Sequence, residues 1–211
     1  MAAVLAPERL RIRSFGRAEY LPTLEAMRAF SVRRGADTPD ELWLLEHPPV
    51  YTLGLGADRS HGPREARGIP VIAVERGGEV TYHGPGQAVL YTLVDLARRG
   101  IRVREFVRLL EQSVIDLLAE HGVRGERKAG APGVYVAGAK VAALGLRVAR
   151  GRAYHGLALN VDMDLAPFTA IDPCGYPGLA VTQTRDLGIG ESCVALGERL
   201  AQRLAQALEH A

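Results

Sequence analysis

Apolar residues recur every three or four positions in three stretches of the chain, and this spacing predicts amphipathic helices over residues 18–34, 102–121 and 191–209. Shorter apolar runs predict strands at 41–55 (two strands, broken by Pro48-Pro49), 69–75, 79–82, 88–96, 134–137, 140–149 and 152–161. Residues 57–68 and 163–190 are rich in glycine, proline and polar residues, which indicates loops. Strands in hairpin-like pairs with helices between them favour an α+β fold, a mixed β-sheet with packed helices.

The last two predicted strands flank the dipeptide Arg150-Gly151, which is typical of a tight hairpin turn. If these are the two turn residues, Gly145 faces Gly156 on the neighbouring strand. Two facing glycines leave a gap in the side chains over the sheet, and such a gap would suit a slim apolar ligand.

The composition excludes several classes of protein. The 211 residues are 47% hydrophobic and 24% charged with a formal net charge of +2, which predicts one domain over 1–211 with a sizeable core. No basic block suggests nucleic-acid binding. No apolar run reaches the length of about 18 residues that a membrane span needs, and the N-terminus lacks a secretory pattern, so we expect a cytoplasmic protein.

Familiar metal and nucleotide motifs are missing from the sequence. The six histidines have no ligand spacing and no CxxC is present, so we predict no metal site. The sequence also lacks the GxxxxGK[ST] phosphate loop, the GxGxxG dinucleotide motif and the GxSxG nucleophile elbow.

The two cysteines have different surroundings. Cys174 lies in IDPCGYPG, where two prolines and two glycines predict a turn with an approachable thiol. The thiol is either a nucleophile, which needs a nearby cation or imidazole, or an incidental surface group. Cys193 lies in the last predicted helix and is interpreted as structural.

Lys140 is a candidate partner for such a nucleophile. Only Lys128 and Lys140 are lysines among the 26 basic residues, and Lys140 begins the apolar strand KVAALGLRV. A partly desolvated lysine can move a proton near neutral pH, which an arginine cannot do. The alternative is a lysine at a sheet edge whose charged end reaches into solvent.

The segment ERGGEVTYHGPGQ at 75–87 concentrates glycine and polar residues. It is either a structural hairpin or a place where backbone closely approaches a ligand. His83, within it, is either a second imidazole near the thiol or a hydrogen-bonded core residue.

Five segments together resemble the lipoyl(octanoyl) transferase family. They are HPPVYTLG at 47–54, RGGEVTYHGPGQ at 76–87, KVAALG at 140–145, HGLALN at 155–160 and PCG at 173–175, in the order the family has them. The resemblance implies the fold of the biotin and lipoate protein ligase catalytic domain.

The resemblance also implies roles for individual residues. Cys174 would be the acyl-thioester nucleophile, and Lys140 the group that favours its ionised form and moves protons. The acyl pocket would be formed by Arg76, Gly77, Gly78, Glu79, Val80, Thr81, Tyr82, His83, Ala143, Leu144, Gly145, Gly156, Leu157 and Ala158.

The implied donor is octanoyl-acyl carrier protein. The implied acceptors are lysines on lipoyl domains of 2-oxoacid dehydrogenase E2 subunits and of the glycine-cleavage H protein, and no cofactor is needed. Three alternatives stay open: an ATP-dependent lipoate or biotin protein ligase of the same fold, a catalytically inactive acyl-binding protein, and a thioesterase that uses the same cysteine.

Overall fold

The computed structural model describes residues 9–57, 62–172 and 178–211. Its strands are β1 (Leu10–Arg17), β2 (Asp40–Glu46), β3 (Val50–Leu53), β4 (Val71–Ala73), β5 (Val80–His83), β6 (Gln87–Asp95), β7 (Gly133–Val136), β8 (Ala139–Ala149) and β9 (Arg152–Asn160). Its α-helices are α1 (Tyr20–Arg33), α2 (Leu96–Arg99), α3 (Val103–Ala119) and α4 (Cys193–Glu209).

The main sheet has six strands in the order β1-β2-β6-β9-β8-β7. Only β1 and β2 are parallel in it, and the other neighbours are antiparallel, so the predicted mixed sheet is confirmed. A second sheet of three strands, β4-β3-β5, was not predicted.

The two faces of the main sheet are covered differently. One face packs against α3 and α4, whose apolar stripes include Phe106, Leu110, Leu200 and Leu204, all fully buried. On the opposite face, α1 packs through Leu24 and Met27 in a second apolar cluster. The small sheet contributes to a third cluster with the chain around residues 163–171. The candidate site lies on the α1 side of the sheet.

Most predicted elements are confirmed within a few residues, and the hairpin is confirmed in detail. Arg150 and Gly151 have φ values of 52° and 74°, and Gly145 pairs with Gly156 while Leu144 pairs with Leu157. The sequence analysis missed β1, because seven of its eight residues are exposed and no apolar face marks it as a strand.

Candidate active site

A narrow cleft lies between the α1 face of the main sheet and the segment that runs through β5. The empty space in it, including its mouth, is about 490 Å³. Its lining consists of Tyr20, Arg76, Gly78, Glu79, Val80, Thr81, His83, Val89, Tyr91, Ala143, Leu144, Gly145, His155, Gly156, Leu157 and Ala158.

The cleft contains twelve of the fourteen residues expected in the acyl pocket. The two that do not line it are Gly77, whose amide donates to the carbonyl of Leu146, and Tyr82, whose ring packs against Tyr51 and Phe168. Successive side chains of β5 point to opposite sides of the strand, so Tyr82 points away from the side on which Thr81 lines the cleft.

The two facing glycines are explained by the packing around them. A Cβ on Gly156 would lie 2.1 Å from the carbonyl oxygen of Leu90 in the next strand, so this glycine is required by backbone packing. A Cβ on Gly145 would lie 2.9 Å from Cδ of Arg76. The expected gap over the sheet is therefore partly filled by the Arg76 side chain.

Arg76 is part of the roof of the cleft and is 7% exposed. Its guanidinium donates to the carbonyl oxygen of Thr52 (2.8 Å), to the hydroxyl of Thr52 (2.8 Å) and to the carbonyl oxygen of Gly77 (3.0 Å). These bonds hold the arginine side chain over Gly145.

Lys140 is 3% exposed, so the alternative of a solvent-reaching lysine at a sheet edge is wrong. It lies on β8, which has β7 and β9 on its two sides. Its Nζ donates to the carbonyl oxygen of Pro132 at 3.0 Å and lies 5.3 Å from the centre of the Tyr135 ring. The amine is therefore enclosed between β7 and the segment around Pro132.

A chain of hydrogen bonds connects the cleft to the backbone of Lys140. His83 Nδ1 donates to Gln87 Oε1 (2.7 Å), and Gln87 Nε2 donates to Oδ1 of Asn160 (2.9 Å), the only asparagine in the sequence. Asn160 Nδ2 donates to the carbonyl oxygen of Thr182 (3.0 Å), whose own amide donates to the carbonyl oxygen of Lys140 (2.9 Å).

His83 is buried at the cleft end of this chain of hydrogen bonds. Burial, followed by the charge interaction with His47, lowers the pKa of His83 to about 3. At neutral pH the ring is therefore uncharged and a weak base, which agrees with a hydrogen-bonded core residue better than with a proton acceptor.

Tyr91 and Tyr20 line one side of the cleft, and His47 lies behind them. His47 Nδ1 lies 2.6 Å from the carbonyl oxygen of Ala18, so this nitrogen carries the proton and Nε2 accepts from the hydroxyl of Tyr91 at 2.8 Å. The ring of Tyr20 contacts that of His47, with centroids 4.9 Å apart. Burial lowers the pKa of His47 to about 4, so this wall is uncharged at neutral pH.

Sequence reasoning missed Tyr20, Val89, Tyr91 and His155 as lining residues. Nothing in the local sequence separates them from core residues, since all four are at most 4% exposed. His155 has an unusual backbone, with φ of 62°, and its Nε2 has no hydrogen-bond partner in the described structure. The dihedral angle is a signal that only coordinates provide.

The structure describes one of the two cysteines, Cys193. Cys174 lies outside the described residues. Cys193 is half-buried at the start of α4, where burial, followed by the charge of Glu46, raises the pKa of its thiol to about 12. A thiol with such a pKa is a poor nucleophile, which agrees with the structural interpretation of Cys193.

Across 9–57, 62–172 and 178–211, no group of three histidine, cysteine or acidic side chains could hold a metal ion. In the same ranges, no helix is both long enough and apolar enough to cross a membrane.

Solved structures with low sequence identity share this fold. A lipoate-protein ligase A crystallised with ATP superposes with a TM-score of 0.73 at 14% identity, covering 96% of this chain and 85% of that one. A biotin protein ligase from Aquifex aeolicus, in complex with biotin and ATP, gives 0.60 at 12% identity, covering 95% and 71%. The expected ligase-like α+β fold is confirmed.

Relatives with high sequence identity define the family more narrowly. The octanoyltransferase of Aromatoleum aromaticum is 59% identical to this chain, in a match that covers 94% of this chain and 86% of the relative. The octanoyltransferase of Azoarcus sp. is 58% identical, and that match covers 98% of this chain and 90% of the relative. A family model described as the lipoyl protein ligase A/B catalytic domain matches residues 19–195. The chain therefore belongs to the lipoyl protein ligase A/B catalytic-domain family and is an acyltransferase related to the octanoyltransferases.

Proposed function

We propose that this protein moves an octanoyl group from octanoyl-acyl carrier protein to a lysine of a lipoyl domain, and that Cys174 carries the group between them. The observation that carries the proposal is the largely apolar cleft lined by alanine and glycine of β8 and β9, because β8 also carries the buried amine of Lys140. A narrow cleft with such a floor suits an unbranched hydrocarbon chain.

The chain that follows Cys174 reaches the backbone of Lys140 within six residues. The amide of Lys140 donates to the carbonyl oxygen of Ala180 at 2.8 Å. Cys174 precedes Ala180 by six residues, so the extended chain between them spans at most about 20 Å. This separation permits contact between the thiol and the amine.

The first half of the reaction exchanges one thioester for another. The Cys174 thiolate attacks the octanoyl carbonyl carbon, a C–S bond forms, and the C–S bond to the carrier's thiol breaks. The released carrier thiolate takes up a proton, which Lys140 in its charged form can supply. Because bonds of the same kind form and break, no ATP is consumed.

The second half forms an amide. The amine of the acceptor lysine attacks the Cys174 thioester, the C–S bond breaks, and the attacking nitrogen loses a proton. Lys140, left neutral by the first half, can accept that proton and be ready for the next cycle. A titratable amine is required for this, because a guanidinium stays protonated.

The competing function is an ATP-dependent ligase, since the lipoate and biotin ligases that share the fold were solved with ATP. The protein should be incubated with octanoyl-acyl carrier protein in the absence of ATP and analysed by intact-mass spectrometry. We expect one octanoyl adduct, removable by hydroxylamine, which is absent from Cys174→Ala and present in the matched control Cys193→Ala. An adduct that forms only with ATP would overturn the proposal.

Experiments with and without an acceptor distinguish the proposed transferase from the two remaining alternatives, a thioesterase and an inactive acyl-binding protein. Adding an apo lipoyl domain, from a 2-oxoacid dehydrogenase E2 subunit or the glycine-cleavage H protein, should move the octanoyl group to the domain as a hydroxylamine-resistant amide. Free octanoate in the absence of acceptor would indicate a thioesterase, and binding without an adduct would indicate an inactive acyl-binding protein. The cytoplasm, where such carriers are found, is the proposed location.

A further inference from the structure

The strand register arranges the floor of the cleft in rows that cross the sheet. One row contains Gly133 on β7, Ala143 on β8, Ala158 on β9 and Val89 on β6. The neighbouring row contains Gly145, Gly156 and Tyr91. The residues on β7, β8 and β9 are all glycine or alanine, and the first large side chains are those on β6.

The amine of Lys140 lies at the β7 end of the first row. A Cβ on Gly133 would lie 2.6 Å from Cε and 3.1 Å from Nζ of Lys140, so the amine lies directly over this glycine. An acyl group whose carbonyl carbon is near Lys140 can therefore extend its tail in the direction of β8, β9 and β6.

The length of the small-residue floor matches eight carbons. Neighbouring strands are about 4.8 Å apart, so the distance from β7 to β9 is about 10 Å. An extended eight-carbon acyl chain spans about 9 Å, given C–C bonds of about 1.5 Å. The tail of an octanoyl group would therefore end where the floor meets β6.

On β6 the first row ends at Val89 and the neighbouring row at Tyr91, the larger of the two side chains, and the position of Tyr91 is fixed by other residues. Its hydroxyl donates to His47, which in turn donates to the carbonyl oxygen of Ala18, so the phenol ring is anchored to the backbone at the start of α1. Tyr20 lies beside this group, and its ring is stacked on that of His83 with centroids 6.0 Å apart.

The chemistry of the far end also disfavours longer chains. Two polar atoms belong to the cleft lining near Tyr91: the hydroxyl of Tyr20, which interacts with that of Tyr91, and Nε2 of His155, which has no hydrogen-bond partner among the described residues. Additional methylene groups pushed against these polar atoms would gain little from leaving water and would keep water from reaching them.

We propose that the ring of Tyr91 sets the acyl chain length by ending the cleft after eight carbons. The inference rests on the proposed transfer for the identity of the acyl group. The measurement of chain length is separate from the measurement of transfer, so the two can fail independently.

The test offers the enzyme an equimolar mixture of acyl-carrier thioesters with six, eight, ten and twelve carbons and reads the adducts by intact mass. Wild type should load the eight-carbon chain in preference. Tyr91→Leu removes about two carbons' length from the wall, so we expect the ratio of ten- and twelve-carbon adducts to the eight-carbon adduct to rise at least tenfold. A ratio within a factor of two of wild type would overturn the proposal.

Two control variants separate the wall from general loss of packing. Tyr91→Phe keeps the ring and loses the bond to His47, so the preference for eight carbons over ten should persist. Phe106→Leu removes a fully buried ring on the opposite face of the sheet, and its chain-length profile should match wild type. A longer-chain shift in Phe106→Leu would show that loosened packing, and not the wall, sets the length.

A substitution in the floor should move the preference in the other direction. Ala158→Val adds two methyl groups midway along the row, so the six-carbon adduct should increase at least fivefold relative to the eight-carbon adduct. If wild type loads no acyl group, the proposed function fails, and calorimetric binding of free fatty acids of six to twelve carbons still tests Tyr91. Equal affinities of wild type and Tyr91→Leu for ten carbons would overturn the inference.

Discussion

Acidification should destabilise this protein well above the pH at which its carboxylates are protonated. His47, His83 and His155 are 0%, 6% and 1% exposed, and burial is the largest cause that lowers their pKa values, to about 4, 3 and 3. In the unfolded chain each ring titrates near 6.5. The unfolded state therefore binds protons below pH 6.5 that the folded state does not, and stability is lost as the pH falls through 6.5 and on to about 4.

The expected loss is large. Each histidine contributes roughly 2 kcal/mol of destabilisation between pH 7 and pH 5, so the three together remove roughly 5–6 kcal/mol. Total stabilities of natural domains are about 5–15 kcal/mol, so this change is enough to bring the protein close to unfolding at pH 5. Near pH 5 the free energy of unfolding should fall with a slope of about three protons, roughly 4 kcal/mol per pH unit.

Urea unfolding followed by the fluorescence of Trp43, the only tryptophan, measures this slope between pH 5 and 7.5. The informative variant is His155→Asn, because asparagine tolerates the positive φ of 62° at this position. It should reduce the slope near pH 5 by about one proton. A wild-type slope below about one proton would refute the reasoning.

Three further changes test the site and its support. Lys140→Arg keeps a positive charge but cannot release a proton. The acyl adduct should therefore still form, while the rate of transfer to the lipoyl domain should fall at least a hundredfold. A near-normal rate of transfer would contradict the proton-transfer role. Asp40→Asn removes a fully buried carboxylate that binds Arg34 at 2.5 Å. Because the buried guanidinium then lacks a negative partner, the free energy of unfolding in urea should fall by about 3–5 kcal/mol. A fall below about 1 kcal/mol would show that other groups neutralise the guanidinium. Gly145→Leu must displace Arg76 and obstruct the floor, so loading of eight-carbon chains should fall more than loading of four-carbon chains, and equal losses would count against the floor assignment.

The sequence by itself determined the elements with a strong local signal. The stripes of α3 and α4 follow from helical periodicity, and the turn at Arg150-Gly151 fixed the pairing of Gly145 with Gly156. A two-residue turn determines register because every partner in the hairpin follows from it by counting. The motifs also fixed the family, since they lie in five separate segments.

Only the tertiary structure decided which residues surround the cleft. All nine residues of β6 are buried, so no alternation of apolar and polar positions shows that Tyr91 points to the cleft and Leu90 to the helices. His47 and Tyr91 are 44 residues apart, and their hydrogen bond exists because β2 and β6 are neighbours in the sheet. The burial of Lys140 likewise depends on the pairing of β8 with β7. Such contacts come from packing between distant segments, which no local pattern encodes.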